Sequence, residues 1–568
     1  MDMAGCKSFG LLTLVAALLV SACAPQTQSP VGQTPPVGQE PAVKKRITAA
    51  TNGTLFRAIR VFTGGGADAP GTAEFAVLVN AGLTIRGIRE PLEPQLAEAA
   101  PSVENGLWKV FPDGRMETTW KLRPNARWHD GTPFSPEDII FTAKVLQDDE
   151  LDFIQDPRFA AIEAIEAPDP RTVTVRWKRP SIDADELFTG YLDRGALPLP
   201  RHILEEHYLA NKATFPQLPF WTSDFVGTGP YRVQEWVQDS HVLLTANDGY
   251  VLGRPKIDTI EVKFIPSSPT LVANILAGVV ELPLGRGISL DQASELKAQW
   301  REGTVLITPA STPIQLFIQH RNPNPPIIGN VQFRRALYHA LDRAEMAPGL
   351  TAGFGTVAHH GLPMDHPVYR QAEDAVVKYD YAPTRAARLI EGLGYSRGAD
   401  GMFLDGTGQR LGVEIRATEG DNFPRVLAIA DQWRRAGVAA EPLMIPRARA
   451  SDREYRLTFP GFESGGNYGN FQNLKDIRTT ELPLPENSYR GRNDGSYANA
   501  ELDSLIDRFY VTVPLRERVD ILRSIYRHLT DQVVIMYLYY SATATMVDNR
   551  ISNVTPAYFG NAHEWEVK

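Results

Sequence analysis

The sequence predicts an α/β protein with more than one lobe, and three observations lead to this class. Short β-type runs, such as residues 172–177 and 260–265, alternate along the chain with helical stretches. The chain has 568 residues, which at roughly 150 residues per domain favours about two to four lobes. Its 43% hydrophobic and 22% charged residues are typical of a soluble globular protein.

The start of one helix can be read directly from the sequence. Ser135 is a typical N-cap, Pro136 suits the first helical position, and acidic residues follow in the first turn. Two later helices should end at Gly394 and Gly437, because glycine commonly follows the last turn of a helix. The further amphipathic helices are predicted over residues 331–347, 383–393 and 423–436.

The charge and the cysteine content exclude several classes of protein. The formal net charge is -9 at pH 7, whereas nucleic-acid-binding surfaces are basic, so no nucleic-acid partner is expected. The two cysteines are Cys6 and Cys23, and both precede the region predicted to fold. That region therefore has no thiol for a disulfide framework, a thiolate metal site or a cysteine nucleophile.

The N-terminus has the pattern of a secretory signal peptide. Lys7 supplies positive charge, residues 11–20 form a largely apolar run, and small residues lead to Cys23. The run is about half of the roughly 20 residues that a membrane-spanning helix needs. We predict that residues 1–22 are the signal peptide; a retained transmembrane anchor and a chance apolar run are the alternatives.

The end of this run resembles a bacterial lipobox. Residues 20–23 read Val-Ser-Ala-Cys, and in a lipobox the cysteine sulfur accepts diacylglycerol. The resemblance implies that Cys23 becomes the mature N-terminus and carries several acyl chains, which together anchor a protein stably. Residues 24–43 are rich in Pro, Gln, Gly and Thr, so we predict a lipidated, disordered tether over residues 23–45.

No motif in the sequence indicates an enzyme. The sequence contains no phosphate-binding Gly-x-x-x-x-Gly-Lys-Ser/Thr loop, no Gly-x-Ser-x-Gly elbow and no His-Glu-x-x-His zinc motif. The glycines at 64–66 lack the strand-turn-helix context of a dinucleotide site. We therefore predict no catalytic residues, no cofactor and no enzyme activity.

Two histidine-containing stretches have alternative interpretations. His359, His360 and His366 lie close together in the sequence, so two imidazoles and a nearby carboxylate could bind a transition metal. We favour exposed histidines on a loop, and no metal site is predicted. His129 is followed by Asp130, but adjacent residues in a turn point apart, which favours a structural role.

Several segments, in one order along the chain, resemble family 5 of the extracytoplasmic solute-binding proteins, the peptide/nickel-binding family of ABC importers. This family includes the dipeptide- and oligopeptide-binding lipoproteins. The segments are LAE at 96–98, KLRPNARWHDGTPF at 121–134 with EDIIFT at 137–142, VGTGPY at 226–231, VQFRRAL at 331–337 with ALDR at 340–343, YAP at 381–383 leading to GY at 394–395, and YANAELDSL at 497–505.

The resemblance implies a periplasmic-binding-protein fold of type II, bilobal and α/β, with an extra inserted domain and a discontinuous first lobe. The expected parts are lobe I over 46–85, 196–268 and 536–568, inserted domain II over 86–195, and lobe III over 269–535. The chain should cross between lobes near Ile265–Pro266 and return over residues 533–540. Such crossings act as hinges that let a cleft close on its ligand.

Some residues of these segments also have a structural interpretation. Gly227 and Gly229 indicate backbone angles that a side chain would forbid. Arg334, Arg335 and Asp342 lie on one predicted helix, where surface ion pairs are expected.

The resemblance also implies a ligand-binding segment in lobe III. In the family's peptide binders, an aromatic and acidic segment supplies a carboxylate that pairs with the ligand's α-amino group. The corresponding residues 457–468 lack the family's Asp-Tyr-Pro-Asp run, and Glu463 is their only carboxylate. We predict Glu463 as counter-ion for a ligand amine. The predicted apolar or stacking walls are Phe459, Phe462 and Tyr468, with Trp221 from lobe I; core packing is the alternative for these aromatic residues.

The function that the resemblance implies is transport. The chain would be a monomeric, lipid-anchored binding protein that captures a peptide outside the cytoplasmic membrane and delivers it to ABC permease subunits. A peptide can be recognised through its main chain and its charged ends. An oligosaccharide or another non-peptide solute is the alternative ligand. The alternatives from other classes are an anchored extracytoplasmic hydrolase and a surface lipoprotein without a transporter.

Overall fold

A computed structural model of the protein describes residues 44–53, 71–86, 92–154, 157–190, 196–285, 287–364, 366–418, 422–449, 452–466, 471–556 and 559–568. The predicted signal peptide, most of the predicted tether and the predicted lipidation site Cys23 lie outside these residues. Within the described part of the chain, none of the helices combines the length and the apolar composition that crossing a membrane requires.

Strands occur along the whole described chain. They are β1 (Arg46–Thr51), β2 (Thr84–Arg86), β3 (Leu92–Pro94), β4 (Trp108–Val110), β5 (Met116–Lys121), β6 (Ile162–Asp169), β7 (Thr172–Trp177), β8 (Thr189–Gly190), β9 (Tyr231–Val237), β10 (His241–Ala246), β11 (Thr259–Phe264), β12 (Leu282–Leu284), β13 (Gly303–Ile318), β14 (Thr356–Val357), β15 (Ser396–Arg397), β16 (Phe403–Leu404), β17 (Gly412–Thr418), β18 (Ala439–Ile445), β19 (Phe462–Gly466), β20 (Ile535–Asp548), β21 (Ile551–Ser552) and β22 (Glu566–Val567).

Helices alternate with these strands, as predicted for an α/β protein. They are α1 (Thr72–Val79), α2 (Pro136–Leu146), α3 (Arg201–Ala210), α4 (Ser268–Leu276), α5 (Leu290–Gln299), α6 (Val331–His339), α7 (Arg343–Gly349), α8 (Tyr369–Glu373), α9 (Pro383–Glu391), α10 (Asn422–Arg435), α11 (Arg453–Leu457), α12 (Ala500–Val511) and α13 (Leu515–Asp531).

The first sheet has the strand order β12-β1-β11-β10-β9. β1 pairs in parallel with β11 and β12, and the strands from β9 to β11 are antiparallel. In β10 and β11 every second side chain is buried, which is the period of a strand with one face on a core. β12 begins at Leu282 and so extends this sheet beyond residue 268, the predicted end of that part of lobe I. The predicted boundary between residues 535 and 536 also misses, because Met536 and Leu538 pack in the same core as Phe333 of the predicted lobe III. The remaining domain boundaries stay predictions.

A second sheet, in the order β4-β5-β7-β6, lies within residues 86–195, the predicted inserted domain. Trp120 and Trp177 are buried in its core together with one face of α2. The helix α2 begins where the sequence predicts. The backbone N–H of Ser135, its N-cap, donates to the Asp138 carboxylate at 3.0 Å, so the Asp138 side chain holds the first turn.

The largest sheet has the order β14-β20-β13-β19-β17-β18 and forms the centre of lobe III. α6 and α10 pack on one face, and α12 and α13 pack on the other. The single helix predicted over residues 331–347 is wrong: α6 ends at His339 and α7 begins after Asp342. The Asp342 carboxylate accepts a hydrogen bond from a backbone N–H in the first turn of α7, which starts a new helix.

A long antiparallel ribbon of β13 and β20 joins the lobes. Its outer half, with Val305 and Met546, packs in a core that includes β1, whereas its inner half, with Leu316, packs in the core of lobe III. The register shifts between the two halves. The predicted return over residues 533–540 lies in the inner half. The predicted crossing near Ile265–Pro266 is wrong, because α4 and β12 stay with the first sheet.

Gly227 and Gly229 pack against the backbone of Val79. A Cβ on Gly227 would lie 2.2 Å from the Val79 carbonyl oxygen, and one on Gly229 would lie 2.4 Å from the Val79 carbonyl carbon. Neither glycine has a positive φ, so the predicted reason, a special backbone angle, is wrong, and close approach is what requires glycine. His129 holds the same turn, because its Nδ1 accepts from the Gly227 N–H and its Nε2 donates to the Gly229 carbonyl.

Arg334 is a buried structural residue. Arg334 is only 4% exposed, so the predicted surface ion pair is wrong for this arginine. Arg335, in contrast, does pair with Asp531 at 2.7 Å. The Arg334 guanidinium donates to the main-chain carbonyls of Ile328, Gly329, Gln532 and Val533. It therefore ties the start of α6 to the loop before β20.

Candidate functional site

The described residues include a pocket of about 280 Å³ in lobe III. Side chains from β13, β19 and α11 supply most of its wall. The lining residues are Phe317, Arg453, Arg456, Leu457, Phe459, Glu463 and Asp494. The wall thus combines three apolar side chains with four charged ones, two of each sign.

Strand register brings an acidic and a basic side chain together at this pocket. β19 is antiparallel to β13 and parallel to β17, so Glu463 lies opposite Phe317 on one side and opposite Arg416 on the other. Residues directly opposite one another share a sheet face. Gln315 lies on the same face, two residues before Phe317. Its side chain is fully buried, and neither polar atom has a hydrogen-bond partner among the described residues.

Glu463 has two arginine partners. Its Oε2 accepts from Nε of Arg416 at 2.9 Å, and its Oε1 accepts from Nε of Arg456 at 3.1 Å. The exposed side-chain fraction is 7% for Glu463, 3% for Arg416 and 30% for Arg456. The protein itself therefore balances the Glu463 charge. The role that the sequence predicts for Glu463, counter-ion for a ligand amine, stays a prediction.

Arg416 is fixed from several directions. Its Nη2 donates to the carbonyls of Tyr455 at 2.8 Å and Arg456 at 2.7 Å. Its guanidinium carbon lies 4.9 Å from the centroid of the Tyr455 ring and 5.1 Å from that of Phe459, within the range of a cation–π contact. Because arginine stays charged in proteins, the cluster of Arg416, Arg456 and Glu463 carries a net positive charge.

The helix α11 presents two arginines to the pocket. Asp452 caps its N-terminus by accepting from the Tyr455 N–H at 3.0 Å. Arg453 and Arg456 are three residues apart, which places them on one side of the helix. Arg453 is exposed, and among the described residues it has no hydrogen-bond or ion-pair partner. The pocket wall therefore carries two guanidinium groups beside the carboxylates of Glu463 and Asp494.

The predicted aromatic walls have different positions. Phe459 lines the pocket. Phe462 is 1% exposed and packs against Trp433 in the core of lobe III, with ring centroids 4.8 Å apart. Trp221 is buried in the core of the first lobe, where its Nε1 donates to the Phe215 carbonyl at 2.7 Å. Neither Phe462 nor Trp221 contributes to the wall of this pocket, because core packing encloses both side chains.

Two other predicted residues, Tyr468 and Cys23, lie outside the described part of the chain. Sequence reasoning missed the arginines altogether. The spacing of Arg453 and Arg456 beside the aromatic segment could have indicated them. Nothing in the sequence near Arg416 indicates a place at the pocket, because its position beside β19 depends on strand pairing between distant segments.

A much smaller cavity of about 10 Å³ adjoins the pocket and shares Phe317 and Asp494 with it. It has room for about one water molecule. His320 lines it and donates from Nε2 to the Val534 carbonyl at 3.0 Å. Burial, aided by the charge of Arg334, lowers the pKa of His320 to about 3. The imidazole is therefore neutral and structural at ordinary pH.

The structure describes His359, His360 and His366, whereas Asp365, the carboxylate beside them in the sequence, lies outside the described residues. Across the described residues, no group of three or more His, Cys, Asp or Glu side chains is placed to hold a metal ion. The predicted exposed position is wrong for His360, which is fully buried between the rings of Tyr369 and Tyr526. Burial lowers the pKa of His360 to about 3, which keeps this imidazole uncharged.

Comparison with known families decides the assignment. The profile described as "Bacterial extracellular solute-binding proteins, family 5 Middle" matches residues 92–477. The chain belongs to this family. The match confirms the relationship that the sequence motifs indicate, and it places the chain among extracellular solute-binding proteins.

Similar relatives of this family member are named for the binding of peptides and, in Haemophilus influenzae, of heme. An ABC transporter peptide-binding protein of Brucella ovis is 25% identical over 311 residues, which are 54% of each chain. The family member thus spans about half the length of the first curated relatives that it matches. The oligopeptide-binding protein AppA of Bacillus subtilis is 22% identical over 437 residues, 75% of this chain and 76% of AppA.

Solved structures show the shared fold. AppA of Bacillus subtilis, solved in complex with a nonapeptide, superposes with a TM-score of 0.71 at 18% identity, covering 92% of this chain and 99% of AppA. NikZ of Campylobacter jejuni, in complex with Ni(L-His), gives a TM-score of 0.74 at 20% identity, with coverage of 92% and 99%. These likenesses confirm the predicted bilobal periplasmic-binding-protein fold of type II.

Proposed function

We propose that the chain is the solute-binding component of an ABC importer and that its ligand is a peptide. The observation that carries this proposal is the match to AppA, a protein named for oligopeptide binding, over three quarters of both chains. The name of the Brucella ovis relative supports the same ligand class. The pocket of lobe III adds charged groups for peptide ends and aromatic walls for side chains.

The ribbon of β13 and β20 is the hinge of the proposed cycle. It connects the two lobes and changes register between its halves, which is where two packed bodies can rotate against each other. A ligand that contacts both lobes favours the closed form by its extra contacts there. The permease then receives the ligand from the closed protein.

We also propose where the protein is held and that it leaves its ligand chemically unchanged. Cys23 is the lipidation site, and residues 23–45 tether a monomeric body outside the cytoplasmic membrane. No bond of the ligand is broken, so the chain is not an enzyme. The pattern of residues 1–22 and the family membership support export.

Native mass spectrometry of the chain without residues 1–23, purified from cells, tests the ligand class. A heterogeneous set of added masses that fragment into short peptides is the expected result. A single carbohydrate mass or a metal-chelate mass would replace the peptide with another solute and leave the transport role standing. Release of a modified ligand during incubation would favour the hydrolase instead.

A further inference from the structure

The segment between β7 and β8, residues 178–188, contacts two hydrophobic cores, and we call it the bridging segment. The backbone N–H of Ile182 donates to the carbonyl of Tyr510, near the end of α12, at 3.0 Å. The Ile182 side chain is 8% exposed and packs in the core that α12 and α13 share with the lobe III sheet. Ala184 and Leu187 pack instead in the core of the predicted inserted domain. The segment therefore joins that domain to lobe III.

Opposite charges meet at the same contact. The Oδ2 of Asp183, in the bridging segment, lies 3.9 Å from Nζ of Lys475 in lobe III. The exposed side-chain fractions are 7% and 17%, so solvent and salt screen this ion pair only weakly. Burial lowers the pKa of Arg518, on α13, whereas the charges of Asp185 and Asp183 raise it. Acidic groups of the segment thus face basic groups of lobe III, as in surfaces that recognise each other.

The contact has the composition of a surface that can separate and form again. It combines an apolar side chain, a main-chain hydrogen bond and charged groups, and the charged groups can be hydrated when the surfaces part. Interfaces between domains of one chain are more polar than permanent interfaces, and relative motion of such domains is the default expectation. The ribbon of β13 and β20 also joins the lobes. Because the bridging segment lies outside this ribbon, a rotation of lobe III about the ribbon breaks or forms the contact.

We propose that the bridging segment is a latch that holds the predicted inserted domain against lobe III in the closed protein, and that it must release before the cleft opens. Ile182 is its apolar anchor, and the pair of Asp183 and Lys475 strengthens it. The latch lowers the free energy of the closed form, so a ligand has to supply less of the energy of closure. The inference rests on the hinge motion of the proposed function and is independent of the ligand class.

Double electron–electron resonance between two spin labels measures the opening without any ligand. The full chain carries Cys6→Ser and Cys23→Ser, and the labels are attached through Glu163→Cys on β6 and Asp431→Cys on α10, both exposed positions. Adding Ile182→Ala should shift the population from a short to a longer distance. We expect the ratio of closed to open protein to fall about tenfold, because the substitution truncates an apolar side chain that is buried in the closed form.

Matched variants separate the latch from a general loss of stability. Ile139→Ala truncates the same type of side chain in the core of the predicted inserted domain, and it should keep the wild-type distances. Lys475→Met removes the partner of Asp183 and should also favour the longer distance. Lys378→Met should not, since Lys378 pairs at 3.1 Å with Glu373 inside lobe III.

The outcomes distinguish the latch from the hinge. Equal distance distributions in Ile182→Ala and Ile139→Ala, or in Lys475→Met and Lys378→Met, would overturn the latch. If those equal distributions contain both short and long distances, the hinge motion stands and the latch alone is removed. One unchanged distance in the wild type and in every variant would overturn the hinge as well. The peptide proposal is untouched by either result, because the experiment contains no peptide.

Discussion

The Nε of Arg416 donates a 2.9 Å hydrogen bond to Oε2 of Glu463 across two adjacent parallel strands. The exposed side-chain fractions of these residues are only 3% and 7%. A buried charge without a partner is costly, so each member of the pair depends on the other. The pair thus ties the chemistry of the pocket to the stability of the lobe III sheet.

Glu463→Gln should destabilise the protein by about 3 kcal/mol, because it leaves the Arg416 charge buried without a carboxylate. Urea unfolding followed by circular dichroism measures the change. Asp431→Asn is the control, since Asp431 pairs with Arg435 on an exposed helix surface and should cost less than about 0.5 kcal/mol. Unchanged stability together with lost peptide binding would favour Glu463 as a counter-ion for a ligand amine.

Gln315→Leu should stabilise the protein by about 1 kcal/mol, because it removes two buried polar atoms that have no partner among the described residues. Thermal unfolding measures the shift. The matched control is Gln319→Leu, further along the same segment. Gln319 accepts from the Arg321 N–H at 3.1 Å, so its loss should destabilise. If Gln315→Leu also destabilises, the amide has a partner that forms in solution.

The local parts of this fold could be read from the sequence. The Ser135 cap, the strand Thr172–Trp177 and the helix ends near Gly394 and Gly437 depend on neighbouring residues, and the structure has them where they are expected. The split of the helix predicted over residues 331–347 was missed because the apolar spacing continues through the break. The bilobal fold was predicted from the family motifs, because the spacing of apolar residues predicts helices and strands but not how they assemble into lobes.

The candidate site was predictable only in part. Glu463 and Phe459 line the pocket, and both could be predicted because the segment that carries them resembles the family's ligand-binding segment. The pairing of Glu463 with Arg416 could not be predicted, since it depends on β17 lying beside β19. Trp221 was chosen as an aromatic residue near a motif, but its indole packs in the first core. An aromatic residue type alone does not distinguish a side chain that lines a pocket from one that packs in a hydrophobic core.

Gly227→Ala should destabilise the protein by about 2 kcal/mol, because the added methyl overpacks a closed contact. The new Cβ would lie 2.2 Å from the Val79 carbonyl oxygen, so the turn or α1 has to move. Gly249→Ala is the control, since the nearest atom to its Cβ is a side-chain oxygen at 3.6 Å. Chemical denaturation compares the two. Equal midpoints for both variants would show that the turn yields without cost.

The protein should lose stability as the pH falls from about 7 to about 4, and His129 should be one cause. Burial lowers the pKa of His129 from 6.5 to about 4 although the Gly229 carbonyl favours the charged form. The unfolded chain therefore binds a proton in this window before the native protein does. The shift corresponds to about 3 kcal/mol, fully present above pH 6.5 and lost as the pH falls to about 4.

His129→Gln tests this contribution, because glutamine does not titrate in the window. The free energy of unfolding, measured by urea denaturation at several pH values, should depend less steeply on pH in His129→Gln than in the wild type. His207→Gln, at an exposed position of α3, is the control and should keep the wild-type slope. An unchanged slope in His129→Gln would mean that the imidazole takes up its proton in the native turn as readily as in the unfolded chain.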